Sequence, residues 1–439
     1  MRRSSGYIAF AALAPVVLSV AGCGGEPAVR GLDSPDVTIA PAVDAVYSVG
    51  VLDGEQWEMF GRIGSVAFDA DGTLFILDSD AGHVVVIDPE GEFVRTISNK
   101  GEGPGELRFP SSLIVFRDGR IGVRDFGNQG IAIFNREGQF LENVKIDPDG
   151  SSPSGRLHAM PDHSLVAASS RMSFSEDGTL DREEGRPISR FGLDGTSTLF
   201  HEAWAGPPRP ETRTDEAEAG NVRIQVQAGE AFPLPLRVDV LRDGRVAIVD
   251  SVGYRVKLVD ETGAVVSTLE RPVPAVAVTP AIEAAERERR LAALESGGDG
   301  GGDGIMTMTM SITGTVGAGR GGNPLDSEAM QTAMRKMRED QIGDLRFPEE
   351  IPVITNMAVD WSDRIWVQRS ALPGETGPID LLDADGRYFG TLAPDGLRIP
   401  RAFGPGGLLA YIDRDDLDIQ RVRVVRLAGD QLLESGDTP

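Results

Sequence analysis

The sequence predicts an all-β fold, a six-bladed β-propeller of four-stranded blades, and two repeats carry that prediction. The first is a hairpin. Phe68-Asp69-Ala70-Asp71-Gly72-Thr73-Leu74-Phe75-Ile76-Leu77-Asp78 returns over residues 116–125 and 241–250, with weaker copies at 160–166, 361–367 and 404–410. Each copy is an apolar run, an Asp-Gly-type turn and a second apolar run, the pattern of two antiparallel strands. The second repeat is a further turn nineteen residues after the first: Gly72 and Gly91, Gly119 and Gly138, Gly244 and Gly263, with looser versions at Gly195 and Gly386. Two hairpins per unit make four strands. Where no insertion intervenes, the units stand 43–47 residues apart, the length of a propeller blade. Six copies make six blades, and a strand near residues 43–52 is expected to complete the last one, because an unclosed ring leaves reactive edges.

Taken in order, the chain opens with Met1-Arg2-Arg3, an apolar run over residues 7–20, and Val20-Ala21-Gly22-Cys23. A basic start, a short apolar stretch and small residues make a signal peptide, and the run is shorter than the ~20 residues of a spanning helix. Val20-Ala21-Gly22-Cys23 resembles the bacterial lipobox, in which the cysteine is acylated, and Cys23 is the sole cysteine of the chain. The expected organisation is a signal peptide over 1–22, a lipidated flexible tether over 23–36, a propeller over 37–430 and a tail over 431–439. The expected address is the cell envelope, lipid-anchored. Gly24 stands where an inner-membrane retention signal would have aspartate, which favours the outer membrane or a periplasm-facing location.

Two insertions interrupt the repeat, at about 171–235 and 275–350. The second holds two expected helices. One spans 279–295 and starts at Thr279-Pro280, a capping residue before a proline at the first helical position. The other runs over about 326–341, with Met330, Met334 and Met337 on one face. Between them, residues 296–304 are nearly all Gly and Asp, too polar to bury a core. The methionines, with Met306, Met308 and Met310, suit either a soft Cu(I) site or packing of a helix on the propeller, and packing is favoured.

The hairpins with Asp78, Asp125 and Asp250 six residues after the turn glycine, together with the linker Gly101-Glu102-Gly103-Pro104-Gly105-Glu106-Leu107-Arg108-Phe109-Pro110, resemble the NHL-type six-bladed propellers and the related bacterial propeller lipoproteins. The likeness is strict over the first two blades and by pattern over the rest. In that family the aspartate caps a turn by accepting backbone N–H bonds. The same role is read here for Asp78, Asp125, Asp250 and Asp413, with Ser169 and Ser370 in the other two blades. A ring of metal ligands is the competing reading.

The net charge of −25 argues against a nucleic-acid partner, and one cysteine with four histidines leaves no disulfide framework and little for a Cys/His metal cluster. No nucleophile elbow, phosphate loop or His-Glu-x-x-His helix is present. Seven residues before the turn glycine, where innermost strands begin, stand Ser65, Ser112, Arg156 and Arg237, then Met357 with Asn356 beside it, and Arg401 close to this position in blade six. Three arginines converging on a channel mouth suit a carboxylate or phosphate; alternatively each pairs with a nearby acid, as Arg237 with Asp239. His158 and Asp239 occupy equivalent positions in consecutive blades, a pair without a nucleophile.

The expected function is therefore a membrane-anchored binding or scaffold module for a protein, peptide or glycan. Its expected metal content is none, and its site residues are Arg156, Arg237, Arg401, Ser65, Ser112 and Asn356, with Cys23 as lipid attachment. The alternative is a propeller enzyme of lactonase or lyase type with Ca²⁺ in the central channel.

Overall fold

Six hairpins turn the chain at a residue with positive φ. Gly72, Gly119 and Gly244 sit at φ +87°, +86° and +93°, and Gly407 at +77°. The weaker copies use His163 (φ 69°) and Asp363 (φ 58°) at the same place. Left-handed backbone is open to glycine and less readily to His and Asp, which is why the turn survives without its glycine in two blades.

The structure, a computed structural model, describes residues 28–32, 36–146, 151–174, 180–182, 185–207, 214–219, 222–227, 229–295, 308–312 and 328–428. They form a six-bladed propeller. Blade one comprises Ile63–Phe68, Leu74–Asp78, His83–Ile87 and Phe93–Ile97, and blade two Pro110–Val115, Ile121–Asp125, Gly130–Phe134 and Phe140–Val144. Blade three has His158–Ala159, Leu165–Phe174, Pro187–Phe191 and Ser197–Glu202, and blade four Arg237–Val240, Val246–Val249, Arg255–Val259 and Val265–Glu270. Blade five has Ile354–Val359, Arg364–Arg369, Ile379–Asp383 and Tyr388–Leu392. Blade six takes Ala402–Phe403, Leu408–Arg414 and Gln420–Leu427 from the C-terminal end and Val43–Val49 from the N-terminal end, paired antiparallel, so the ring closes as expected.

The core lies between blades. Alternate residues of a middle strand face opposite sides, so Leu74 and Ile76 pack against blade six while Phe75 and Leu77 pack against blade two. Four further apolar clusters join blades two to three, three to four, four to five and five to six. Middle strands therefore read as continuous apolar runs, because both faces are covered. The turn aspartates act as caps where the repeat is strict. Asp78 accepts N–H bonds from Gly61, Arg62, Asp80 and Ala81, and Asp125 from Arg108, Phe109 and Gly127, tying the entering loop to the turn. In blade five the sequence register slips by one. Ile354 pairs Arg369 as Ile63 pairs Asp78, so Arg369, not Ser370, holds the position. Asn356 likewise stands there rather than Met357, because the chain turns at Asp363.

The stretch read as a flexible tether is docked where it is described. Ala28–Gly31 adds a parallel fifth strand to blade four, and Thr38–Ile39 adds one to blade five. Between them Asp36 meets Arg271 at 2.9 Å and Arg369 at 2.6 Å; Arg271 in turn meets the buried Asp380 at 2.7 Å and covers the Tyr388 ring at 4.3 Å. Burial works against the charge of Asp36, but the Arg369 and Arg271 guanidinium groups hold its carboxyl below the usual range. Cys23 and the C-terminal tail lie outside the described residues.

The helices form as expected, α1 over Pro280–Glu295 and α2 over Glu328–Gly343, between blades four and five. The two insertions meet: Thr214–Ala219 and Val222–Gln227 from the first pair with Met308–Ile312 from the second in one three-stranded sheet. A bridge between Glu230 and Arg346 and the Phe232–Phe347 contact at 6.0 Å join them again. The Gly/Asp run and the side chains of the methionine stripe lie outside what the structure describes.

Candidate functional site

Innermost strands run from the inter-blade connections to the first hairpins, so every blade presents the same ring positions to the channel. Five residues before the turn residue stand Ala67, Ile114, His158, Asp239, Ala358 and Ala402. Their pairing on the second strands, with Phe75, Gly122, Val166, Ala247, Trp366 and Ala410, has one constant offset, so the equivalence holds in all six blades. Four blades put an apolar residue there. Blades three and four, which are neighbours, put a histidine and an aspartate.

His158 Nδ1 lies 2.8 Å from Asp239 Oδ1. A carboxylate can only accept, so Nδ1 carries the proton, and in the neutral ring Nε2 is left with its lone pair. Asp239 also accepts the backbone N–H of Val240 at Oδ1 and of Val359 at Oδ2, each at 2.8 Å. Burial would raise the pKa of Asp239, but the His158 bond, the Val359 N–H and the nearby Arg156 charge outweigh it and keep the carboxyl below its ordinary value.

Both residues line a cavity of about 520 Å³ in the channel, on the side of the first hairpins, with no residue of the insertions in its lining. Phe68, Leu113, Phe116, Leu157 and Phe403 give it apolar walls. Side chains that tie hairpins together rim it. Arg117 of blade two donates to the Arg242 carbonyl of blade four at 2.6 Å, Arg242 to the Trp361 carbonyl at 3.3 Å, and Trp361 Nε1 to the Phe403 carbonyl at 2.6 Å. Arg136 pairs with Asp71 beside them.

Of the six ligand-site residues expected from the sequence, Arg156 alone lines this cavity, beside the His158–Asp239 pair. It is exposed, and its Nη1 donates at 3.2 Å to the Arg401 carbonyl in the opposite blade, the one hydrogen bond of its guanidinium among the described residues. Arg401 is exposed, and its carbonyl meets Arg156. Arg237 Nε donates to the Thr355 carbonyl at 3.0 Å, which turns it toward blade five. Asn356 Oδ1 accepts the Met357 N–H, and Ser65 and Ser112 sit on the inner strands outside the cavity lining. Sequence reasoning missed Arg117, Arg242 and Trp361, which stand just past the hairpin starts, because it placed the mouth at the strand beginnings. Among the described residues no three His, Cys, Asp or Glu side chains gather as a metal site.

Residues 54–155 match the model of the 6-bladed beta-propeller family DUF5128. No curated protein matches the chain. Among solved structures, it is similar to an exported-protein candidate from Bacteroides fragilis, at 14% identity and TM-score 0.44, covering 91% of this chain and 99% of that one. It is similar also to a member of the DUF4221 family from Bacteroides vulgatus (10%, TM-score 0.42, 89% and 99% covered) and to virginiamycin B lyase from Staphylococcus aureus (9%, TM-score 0.38, 87% and 98% covered).

Proposed function

We propose that this chain is an exported, lipid-anchored binding protein whose propeller holds an anionic ligand in its central cavity, with Arg156 as the anion contact. One observation carries the reading: an exposed guanidinium in a channel cavity, with a single hydrogen bond to a backbone carbonyl. A guanidinium offers five N–H donors in a planar fork, so the remaining donors suit one carboxylate or phosphate. Apolar and ionisable side chains share the walls: Arg117, Arg136 and Arg242 stand with Arg156, among five aspartates, in a concave site of the size a small ligand takes. Anchoring rests on the Val20-Ala21-Gly22-Cys23 motif, and no described helix is long and apolar enough to cross a membrane. The ligand on this reading is the anionic part of a glycan or peptide.

The test is calorimetric titration of the purified protein with inorganic phosphate and with short carboxylates, beside Arg156→Ala. Binding that drops by about tenfold or more in the variant, as loss of a charge-assisted bond requires, supports the reading. Equal binding by both proteins, or none of any anion, ends it. Mass spectrometry of the N-terminal peptide, with Cys23→Ala as control, tests the anchor: an unmodified Cys23 in the mature protein rules it out.

A further inference from the structure

We infer that the cavity selects a hydroxylated carboxylate, a sugar acid, by holding its carboxylate on Arg156 and one of its hydroxyl groups on His158 Nε2. The inference rests on the anion reading above and adds a second contact to it.

The symmetry of the ring is broken at one position. The fold places Ala67, Ala358 and Ala402 at the position of His158 and needs nothing polar there. A histidine and a largely buried aspartate in two adjacent blades are a departure that packing does not ask for, since an apolar residue avoids the desolvation of a charge. Asp239 is satisfied three times over by His158, Val240 and Val359. It takes up the Nδ1 proton of His158, which in the neutral ring leaves Nε2 as an acceptor. Among the described residues Nε2 meets no hydrogen-bond partner, and His158 borders the cavity. Arg156 stands two residues before His158, just ahead of the inner strand His158–Ala159, and both residues line the cavity. The cavity thus offers donors from one group and an acceptor from its neighbour. A simple carboxylate meets the first and leaves Nε2 unused. A neutral sugar meets the second and leaves the guanidinium without its anion. A ligand with a carboxylate and a hydroxyl meets both, and a cavity of about 520 Å³ has room for a ring of that kind with its waters. Sites built around a hydrogen bond reject analogues that lack the group, because the protein atom is left unpaired.

The experiment is calorimetric titration of the purified protein and of His158→Ala with D-glucuronate, D-glucose and hexanoate. His158→Ala installs the residue that three other blades already carry, and circular dichroism with thermal unfolding verifies its fold. Wild type is expected to bind glucuronate about tenfold tighter than hexanoate or glucose, and His158→Ala to bring glucuronate and hexanoate within about threefold of each other. Equal wild-type affinity for hexanoate and glucuronate overturns the sugar-acid inference while the anion reading stands. Equal affinity for glucose overturns both, and so does binding unchanged by Arg156→Ala. Selectivity that persists in His158→Ala removes His158 from the contact. No binding of any of the three at roughly 10 mM overturns the inference, and the phosphate and carboxylate titration then decides the anion reading separately.

Discussion

Replacing Arg271 by methionine tests whether the N-terminal segment is clamped by charge. Arg271 is buried, 2.7 Å from the fully buried Asp380 and 2.9 Å from Asp36, and it lies over the Tyr388 ring at 4.3 Å. Methionine keeps most of the volume, so the perturbation is chiefly electrostatic. Asp380 keeps the Thr391 hydroxyl at 2.6 Å and has Arg369 at 3.7 Å, too far for a hydrogen bond. Stranding a buried charge costs about 3–5 kcal/mol. Arg369 screens part of this, which places the expectation at the lower end, about 3 kcal/mol. For a propeller of this size that is a drop of roughly 4 °C in melting temperature. Asp36→Asn removes the half-exposed end of the network and is expected to cost about 1 kcal/mol or less. The assay is thermal unfolding followed by circular dichroism and by tryptophan fluorescence, with limited proteolysis read at residues 28–39. Arg271→Met is expected to speed cleavage there while the hairpins stay protected. A loss below about 1 kcal/mol, the range of an exposed pair, together with unchanged cleavage, would refute the charge clamp and leave strand pairing as the whole of the attachment.

Three further outcomes are expected. Gly263→Ala should destabilise by roughly 1–3 kcal/mol more than Gly195→Ala, measured by urea unfolding. Both glycines have positive φ (88° and 85°), but an added Cβ would stand 1.9 Å from the Phe200 carbonyl oxygen at Gly263 and 3.4 Å from that of Lys145 at Gly195. Acid should destabilise the protein through Asp413: burial opposes its charge, but Arg423 and Arg398 hold its pKa below the ordinary aspartate value. Its contribution is full above the unfolded aspartate pKa of about 3.9 and is lost as pH falls through the lower folded value, so Arg423→Met should flatten melting temperature against pH in that acid window. Dialysis against a chelator, followed by calcium, is expected to leave the melting temperature unchanged, which differential scanning calorimetry checks.

The blades were legible because each is written locally. A turn that demands positive φ, flanked by apolar runs, names its own hairpin, and the fixed distance to the next turn names the blade. The register failed only at blade five, where Asp363 makes the turn in a context without glycine, and a slip of one residue moved Arg369 and Asn356 out of the alignment. The docked Ala28–Gly31 strand was not legible. It pairs in parallel with residues 267–270, and nothing in Ala28-Val29-Arg30-Gly31 marks a partner so far along the chain. Periodicity reports which face is buried, not against what. For the cavity, the alignment of blades found Arg156, His158 and Asp239 at ring positions. It could not tell that Arg237, in register with Arg156, bonds to Thr355, since that depends on where a long side chain bends.

The docked strand sets a distance. Cys23 is followed by four residues before Ala28, whose pairing to the outer edge of blade four is fixed. Five steps of fully extended chain span at most about 17 Å. An acylated Cys23 would therefore hold the rim of the propeller, near blade four, almost against the bilayer, like a wheel tied by its tyre. Neither end of the axle is tied down by such a leash. A solute could then reach the cavity from one side while the joined insertions met a neighbour on the other, and the two encounters would not compete for space.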